Sequence, residues 1–173
     1  KTRKIKTNEK GIIMSAKNTN NSYGWVAKTF HWGIFMIIIG QFWLGGNFKE
    51  EQFEGMGLNK VHFLVGITIL FLMLVRLAWR AKNPVPEMPE GTGKLQALGA
   101  HGLHILFYIL LIALPVAGIT ANNAADEGTV ELAKTMHGIF AKSTLAAVLI
   151  HIIMAMYHNF VKKDNVLKRM LPW

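Results

Sequence analysis

The stretch KTMHGIFAKSTLAAVLIHIIMAMYH, residues 134–158, decides the fold. It reads as one long apolar helix carrying His137, His151 and His158. Fourteen residues separate the first two histidines. At helical geometry they turn through about 1400°, roughly 40° short of four full circles, and advance about 21 Å. His137 and His151 therefore share one face near opposite ends of a span. The step to His158 adds seven residues, about 10 Å further along nearly the same stripe.

Working outward, the chain has 173 residues, one domain's worth. Hydrophobic residues make up 51%, yet the net charge is +9. Oily and basic character together suggest a membrane protein whose charge sits in its loops. Four apolar stretches, about 25–46, 60–80, 98–121 and 134–160, are long enough to cross about 30 Å of hydrocarbon. The basic balance alone would also permit nucleic-acid binding. The aromatic and aliphatic residues form long blocks instead of interleaving with the charges, so no nucleic-acid partner is expected. The absence of cysteine excludes disulfides, thiolate metal sites, iron–sulfur clusters and a haem attached through Cys-x-x-Cys-His. The first apolar segment is too long for a cleavable signal peptide, contains His31 and lacks a small-residue cleavage pattern.

Residues 1–24 read as a polar, basic, disordered tail, with Met14 as a second candidate start. Residues 25–160 read as a four-helix transmembrane unit, and 161–173 as a basic cytoplasmic tail. Helix one begins and ends in tryptophan (Trp25, Trp32, Trp43), the aromatic belt of a spanning helix. The segment with Pro84, Pro86 and Pro89 reads as a stiff extended linker, and Pro115 as a kink in helix three. The stretches with Glu50, Glu51 and Glu54, and with Asp126, Glu127 and Glu131, read as acidic loops. Lys and Arg number fifteen on one set of alternating sides and three (Lys49, Lys60, Lys134) on the other. That asymmetry places both termini in the cytoplasm.

The topology fixes the depths of the histidines. His31 and His151 fall in the cytoplasmic half, His62 and His137 in the outer half. Two pairs, each joining different helices, match bis-histidine ligation of two b-type haems in a helical bundle. The plainer alternative is that each histidine is an interfacial or core side chain with one hydrogen bond. Ionisable groups inside membrane helices are costly, so four at matching depths argue for a task. Zinc would want a short-range cluster such as H-E-x-x-H, which the sequence lacks. Gly33, Gly40, Gly66 and Gly138 either make room for a porphyrin or serve helix packing. His101 and His104 are i, i+3 neighbours, of which at most one faces the core. Arg76 and Arg80 either pair with haem propionates or reach for lipid headgroups. His158 is a candidate partner for a quinone carbonyl, and Lys142 reads as snorkelling outward.

The motifs Phe30-His31-Trp32, Val61-His62, Leu74-Val75-Arg76-Leu77, Ala100-His101-x-x-His104, Ala113-Leu114-Pro115-Val116-x-Gly118, His137, His151, Lys163-Asp164-Asn165 and Arg169-Met170 form an ordered set. In this set the chain resembles the bacterial cytochrome b561 family from about residue 25 onward. The resemblance implies a four-helix dihaem protein of the inner membrane. Helices one and four would hold the cytoplasmic haem through His31 and His151. Helices two and four would hold the periplasmic haem through His62 and His137. It further implies superoxide oxidation at the periplasmic face and ubiquinone reduction near the cytoplasmic face; the residues there make His158 the expected quinone contact, with Arg80, Lys82 or Lys163 as supports. Lys49, Lys60, Lys134 and Lys142 offer an approach for an anion, while the acidic residues of the same loops oppose it. The alternative is a non-catalytic relay or anchor subunit passing electrons between a dehydrogenase or hydrogenase and quinone. A haem-free bundle, with the histidines as a proton relay, is a third reading.

Overall fold

The structure is a computed structural model, and it describes residues 15–47, 55–89 and 91–171. The expected loop residues Lys49, Glu50, Glu51 and Glu54, and the tail residues 1–14 with Met14, lie outside the described residues. Every regular element among the described residues is a helix: α1 (Trp25–Asn47), α2 (Leu58–Lys82), α3 (Lys94–Asn123), α4 (Glu127–Tyr157), a π-helical turn (His158–Lys162) and α5 (Val166–Met170). Cross-contacts fix an up-and-down bundle. The start of α1 meets the end of α4 (His31 with His151), and the end of α1 meets the start of α2 (Gln41 with His62). The end of α2 reaches the middle of α3 (Arg80 over Tyr108). One end of the bundle therefore carries both terminal segments, the tail end; the other carries the α1–α2 and α3–α4 connections, the loop end.

α2, α3 and α4 with its π turn are long and apolar enough to cross a membrane. α1 is 23 residues long but holds Lys28, His31 and Gln41 and three tryptophans, which lower its mean hydropathy. Many large apolar side chains, including Leu64, Phe71, Ile109 and Ile153, are exposed on the bundle's outside. Water would make such a surface costly, whereas lipid tails solvate it.

The bundle is asymmetric inside. Ile34, Ile38, Ile69, Met73 and Leu111 form the buried core, flanked by Phe30, Phe42, Phe107 and Tyr108. Every one of these residues belongs to α1, α2 or α3. α4 packs closely on α3 alone and stands off from α1 and α2. Small residues make the α3–α4 approach possible: Ala117 on α3 and Ala133, Thr144 and Ala147 on α4 are all buried. Thr144 satisfies its buried hydroxyl by donating to the Phe140 carbonyl at 2.8 Å.

Three expectations change. Residues 15–24, expected within a disordered tail, dock on the proline-rich linker. Asn18 donates to the Pro84 carbonyl at 2.9 Å, and the Glu87 N–H donates to the Asn20 carbonyl at 2.8 Å. Gly24 lets the segment close on itself, because a Cβ there would lie 2.4 Å from the Ala16 carbonyl oxygen. The acidic loop around 122–131 shrinks to Ala124–Asp126, because the Asp126 side chain accepts from the Thr129 N–H at 2.8 Å and starts α4 early. The basic tail folds back, with the Trp32 indole donating to the Met170 carbonyl at 2.8 Å. At Pro115, α3 continues as helix to Asn123.

Candidate functional site

Six of the seven histidines are half-buried, and His101 is exposed. At the loop end, His62 of α2 faces His137 of α4 with ring centres 6.0 Å apart. At the tail end, His31 of α1 faces His151 of α4, also at 6.0 Å. Both pairs bridge the gap that α4 leaves toward α1 and α2. The spacing of fourteen residues on α4 delivers its two imidazoles to the same side of the helix, as the periodicity requires.

The surroundings of the two pairs differ. The His137 Nδ1–H donates to the Leu114 carbonyl at 2.9 Å, which leaves Nε2 with its lone pair. Gln41 donates to the His62 backbone carbonyl at 2.7 Å. Two glycines let backbone approach the rings: a Cβ at Gly45 would lie 3.0 Å from His62 Cε1, and one at Gly118 would lie 3.1 Å from His137 Cε1. A cavity of about 830 Å³ opens here, lined by Gly45, His62, Gly66, Gly118, His137 and Gly138 among others. That is within the usual range for a cofactor-sized site, about 300–1,000 Å³.

The tail end is more crowded. His104 of α3 lies 5.7 Å from His151, and Phe107 lies 5.6 Å from it. His104 Nδ1–H donates to its own helix at the Ala100 carbonyl, 2.7 Å away. Arg76 of α2, four residues before Arg80, is half-buried. Arg80 stacks over Tyr108, 5.6 Å from its ring centre. Beyond them, His158 opens the π turn. Its Nδ1 pairs with the Asp164 carboxylate, and its Nε2 lies 2.8 Å from Gln96 Nε2. Lys162 donates to Gln96 Oε1 at 2.7 Å. Lys82 and Lys163 are exposed; the lysine joined to His158, through Gln96, is Lys162. Lys142 is exposed as well.

Residues 22–173 match the family described as prokaryotic cytochrome b561. The chain belongs to that family. It is 28% identical to "Cytochrome b561 homolog 2" of Escherichia coli, covering 91% of this chain and 95% of that protein. It is 29% identical to "Probable superoxide oxidase CybB" of Yersinia pestis, covering 82% and 91% of the two chains. It is 29% identical to "Cytochrome b562" of Cereibacter sphaeroides, covering 83% and 90%. Proteins of the cytochrome b561 family are bacterial membrane proteins that bind b-type haem and carry electrons.

The residues present fit that group. Imidazole–metal bonds run about 2.0–2.1 Å, so two rings on opposite sides of one metal stand about 6 Å apart between centres. Both pairs have that separation. At the loop end the open volume and the two glycine approaches supply the space a flat macrocycle needs.

Sequence reasoning located the histidines but missed what packs around them. Of the glycines singled out, Gly33, Gly40 and Gly138 face open space, whereas Gly45 and Gly118 press on the imidazoles. Gly118 stood inside the Ala113-Leu114-Pro115 motif, so that signal was present. Gln41, Gln96 and Lys162 carried no pattern that sets them apart from other polar residues.

Proposed function

We propose that this chain is a four-span membrane cytochrome that holds two b-type haems, one on His31 and His151 and one on His62 and His137. The observation that carries the reading is the repetition of one geometry. Two imidazole pairs, each 6.0 Å between ring centres, share α4 and lie toward its opposite ends. When bound, haem b supplies a one-electron carrier whose potential is set by its ligands, its burial and the hydrogen bonds behind the ligands. The Leu114 carbonyl orients His137 for ligation, while Arg76 and Arg80 would hold propionates at the tail end through charge-assisted bonds. α1 is the fourth span: the His31–His151 and Gln41–His62 contacts hold it level with the other three helices. The distribution of Lys and Arg supports the bacterial inner membrane with both termini cytoplasmic.

We assign superoxide oxidation to the loop end and ubiquinone reduction to the tail end near His158. Two superoxide anions yield two O2 and two electrons; one ubiquinone takes up those electrons and two protons and leaves as ubiquinol. The anion's approach is supported by Lys134, which lines the His62–His137 cavity with Asn59 and Asn122. Among the described residues, Asp126, Glu127 and Glu131 are outside that lining. The quinone end carries His158 and Lys162, with Lys82 and Lys163 on the exposed rim. A relay role, handing electrons between quinone and a docked dehydrogenase or hydrogenase, is favoured by one observation. The exposed acidic residues at the start of α4, Asp126, Glu127 and Glu131, would suit a basic partner.

Absorption spectroscopy separates the two. The purified, air-oxidised holoprotein is followed while superoxide is generated enzymatically, with superoxide dismutase as the control and dithionite added last. Rapid reduction of the b band that dismutase abolishes, and reoxidation by added ubiquinone, is the expected result. A band reduced only by dithionite would replace the oxidase assignment with the relay.

A further inference from the structure

The chain reverses after α4 in an unusual way. A π turn, His158–Lys162, ends the helix, and the next residues include Lys163 at φ 54° and Asn165 at φ 62°. Among the described residues these are the two non-glycine residues in the left-handed region. Such a conformation is unfavourable for lysine, whose Cβ crowds the following carbonyl oxygen, and π turns recur where a side chain must be placed for a task. The residue between them is Asp164. Its backbone N–H donates to the His158 carbonyl, one carboxylate oxygen accepts from the Val166 N–H at 3.2 Å, and the other pairs with His158 Nδ1. The reversal thus holds one carboxylate against one imidazole.

The bonds around His158 form a directed chain. The carboxylate accepts, so His158 Nδ1 carries the hydrogen and Nε2 carries the lone pair. Lys162 has only hydrogens to give, so it engages Gln96 Oε1, and the Gln96 amide N–H faces His158 Nε2. Gln96 has a single carbonyl oxygen. If Nε2 gains a proton, the amide N–H must leave it, because two donors then meet. Turning the carbonyl to Nε2–H instead would release Lys162.

We propose that Asp164 is a positioning residue that fixes the tautomer of His158 for proton delivery to a quinone, and that Gln96 guards the Nε2 edge that the quinone carbonyl must reach. This rests on the assignment of quinone reduction to the His158 end. In the step, a proton first adds to the Nε2 lone pair and the ring becomes doubly protonated. The Nε2–H bond then breaks as an O–H bond forms on the reduced quinone oxygen, which returns the ring to its Nδ1–H form. A second cycle supplies the second proton. The electrons come from the donor at the loop end, and the proton is restored to His158 from the cytoplasmic water. Asp164 stays ionised throughout and offsets the positive charge of the ring, in the manner of any carboxylate behind a proton-shuttling histidine. Tyr157, Lys162 and Asp164 are the titratable groups that face the ring.

The test uses dithionite-reduced holoprotein labelled with 15N-histidine, with the His158 signal assigned by its loss in His158→Gln. The expected tautomer in the unmodified protein is Nδ1–H; an Nε2–H signal would overturn the proposal without any variant. Asp164→Asn is expected to mix the tautomers and to lower kcat for quinone reduction by about tenfold or more, the low end of what general acid catalysis contributes. Asp164→Glu should restore the tautomer, and the b band reports folding in each case. Gln96→Leu should lower KM for a soluble ubiquinone analogue severalfold, a split that a purely structural role would not give. If His158→Gln stops quinone reduction while Asp164→Asn leaves tautomer and kcat alone, the positioning role is wrong and the quinone site stands. If His158→Gln leaves quinone kinetics unchanged, the quinone assignment itself fails, and this proposal with it.

Discussion

The two ends of the bundle carry the same imidazole pair in opposite settings. At the loop end, His62 and His137 face a roomy cavity bounded by glycine backbones, and among the described residues of its lining Lys134 is the charged one. At the tail end, His31 and His151 are joined by His104, Phe107, two arginines and Tyr108, and then by the His158 network. On the proposed ligation, equal ring spacing gives equal ligand chemistry, so any difference between the ends comes from what stands behind the rings. Cations and aromatics crowd one pair; backbone and open volume surround the other. A redox chain with a direction needs such inequality.

The largest expected effect breaks the comparison outright. His137→Ala should remove the loop-end haem and His151→Ala the tail-end haem, each costing about half the dithionite-reduced b absorbance per protein. The haem content of the purified variants checks this, and loss of both haems from either single change would mean the ends are not separate sites. Next, Gly118→Val places a branched side chain where a Cβ already approaches His137 to 3.1 Å. Overpacking of this kind costs about 1–3 kcal/mol, so the loop-end haem should bind more weakly while the tail-end haem is retained in the same preparation.

Removing His104 should sharpen the contrast without abolishing it. His104→Leu is expected to move the potential of the tail-end haem by a few tens of millivolts, at about 59 mV per tenfold for one electron. A redox titration with both haems resolved should find the other potential unmoved. Trp32→Phe deletes the bond to the Met170 carbonyl. A single net hydrogen bond is worth about 1 kcal/mol, so proteolysis in α5 should speed up severalfold while haem content holds.

The smallest effect is one of pH. Partial burial pushes the Asp164 carboxyl up, but the bonds from His158 and the Val166 N–H, and the charges of His158 and Lys162, outweigh it and hold the group below the usual carboxylate range. Its contribution to holding the reversal is therefore complete above the ordinary Asp value of about 3.9. It is lost as pH falls through the depressed folded value. Amide exchange in α5 should rise on acidification below that point, and Asp164→Asn should flatten the rise.

Much of the bundle was legible in the sequence because membrane helices declare themselves by length and apolarity, and because histidines stand out within them. The α4 repeat placed His137 and His151 on one side from arithmetic alone. The start of α4 was misjudged because acidic residues suggested a loop, while Asp126 was in fact a cap for Thr129. The docked segment 15–24 was misjudged because its partners, Pro84 and Glu87, are more than sixty residues away. Polar composition cannot report a contact of that range. Gln96, Lys162 and Asp164 likewise gain meaning only when α3 and the π turn meet.

The core formed by α1, α2 and α3 excludes α4. A ribosome delivers these helices in that order, and domains close from the N-terminus as chain becomes available. The first three can bury their shared side chains before the fourth leaves the tunnel. The last helix, which brings His137 and His151, arrives at a finished wall that already presents His31 and His62. Closure of the bundle is then a late event, and its timing belongs to α4 alone.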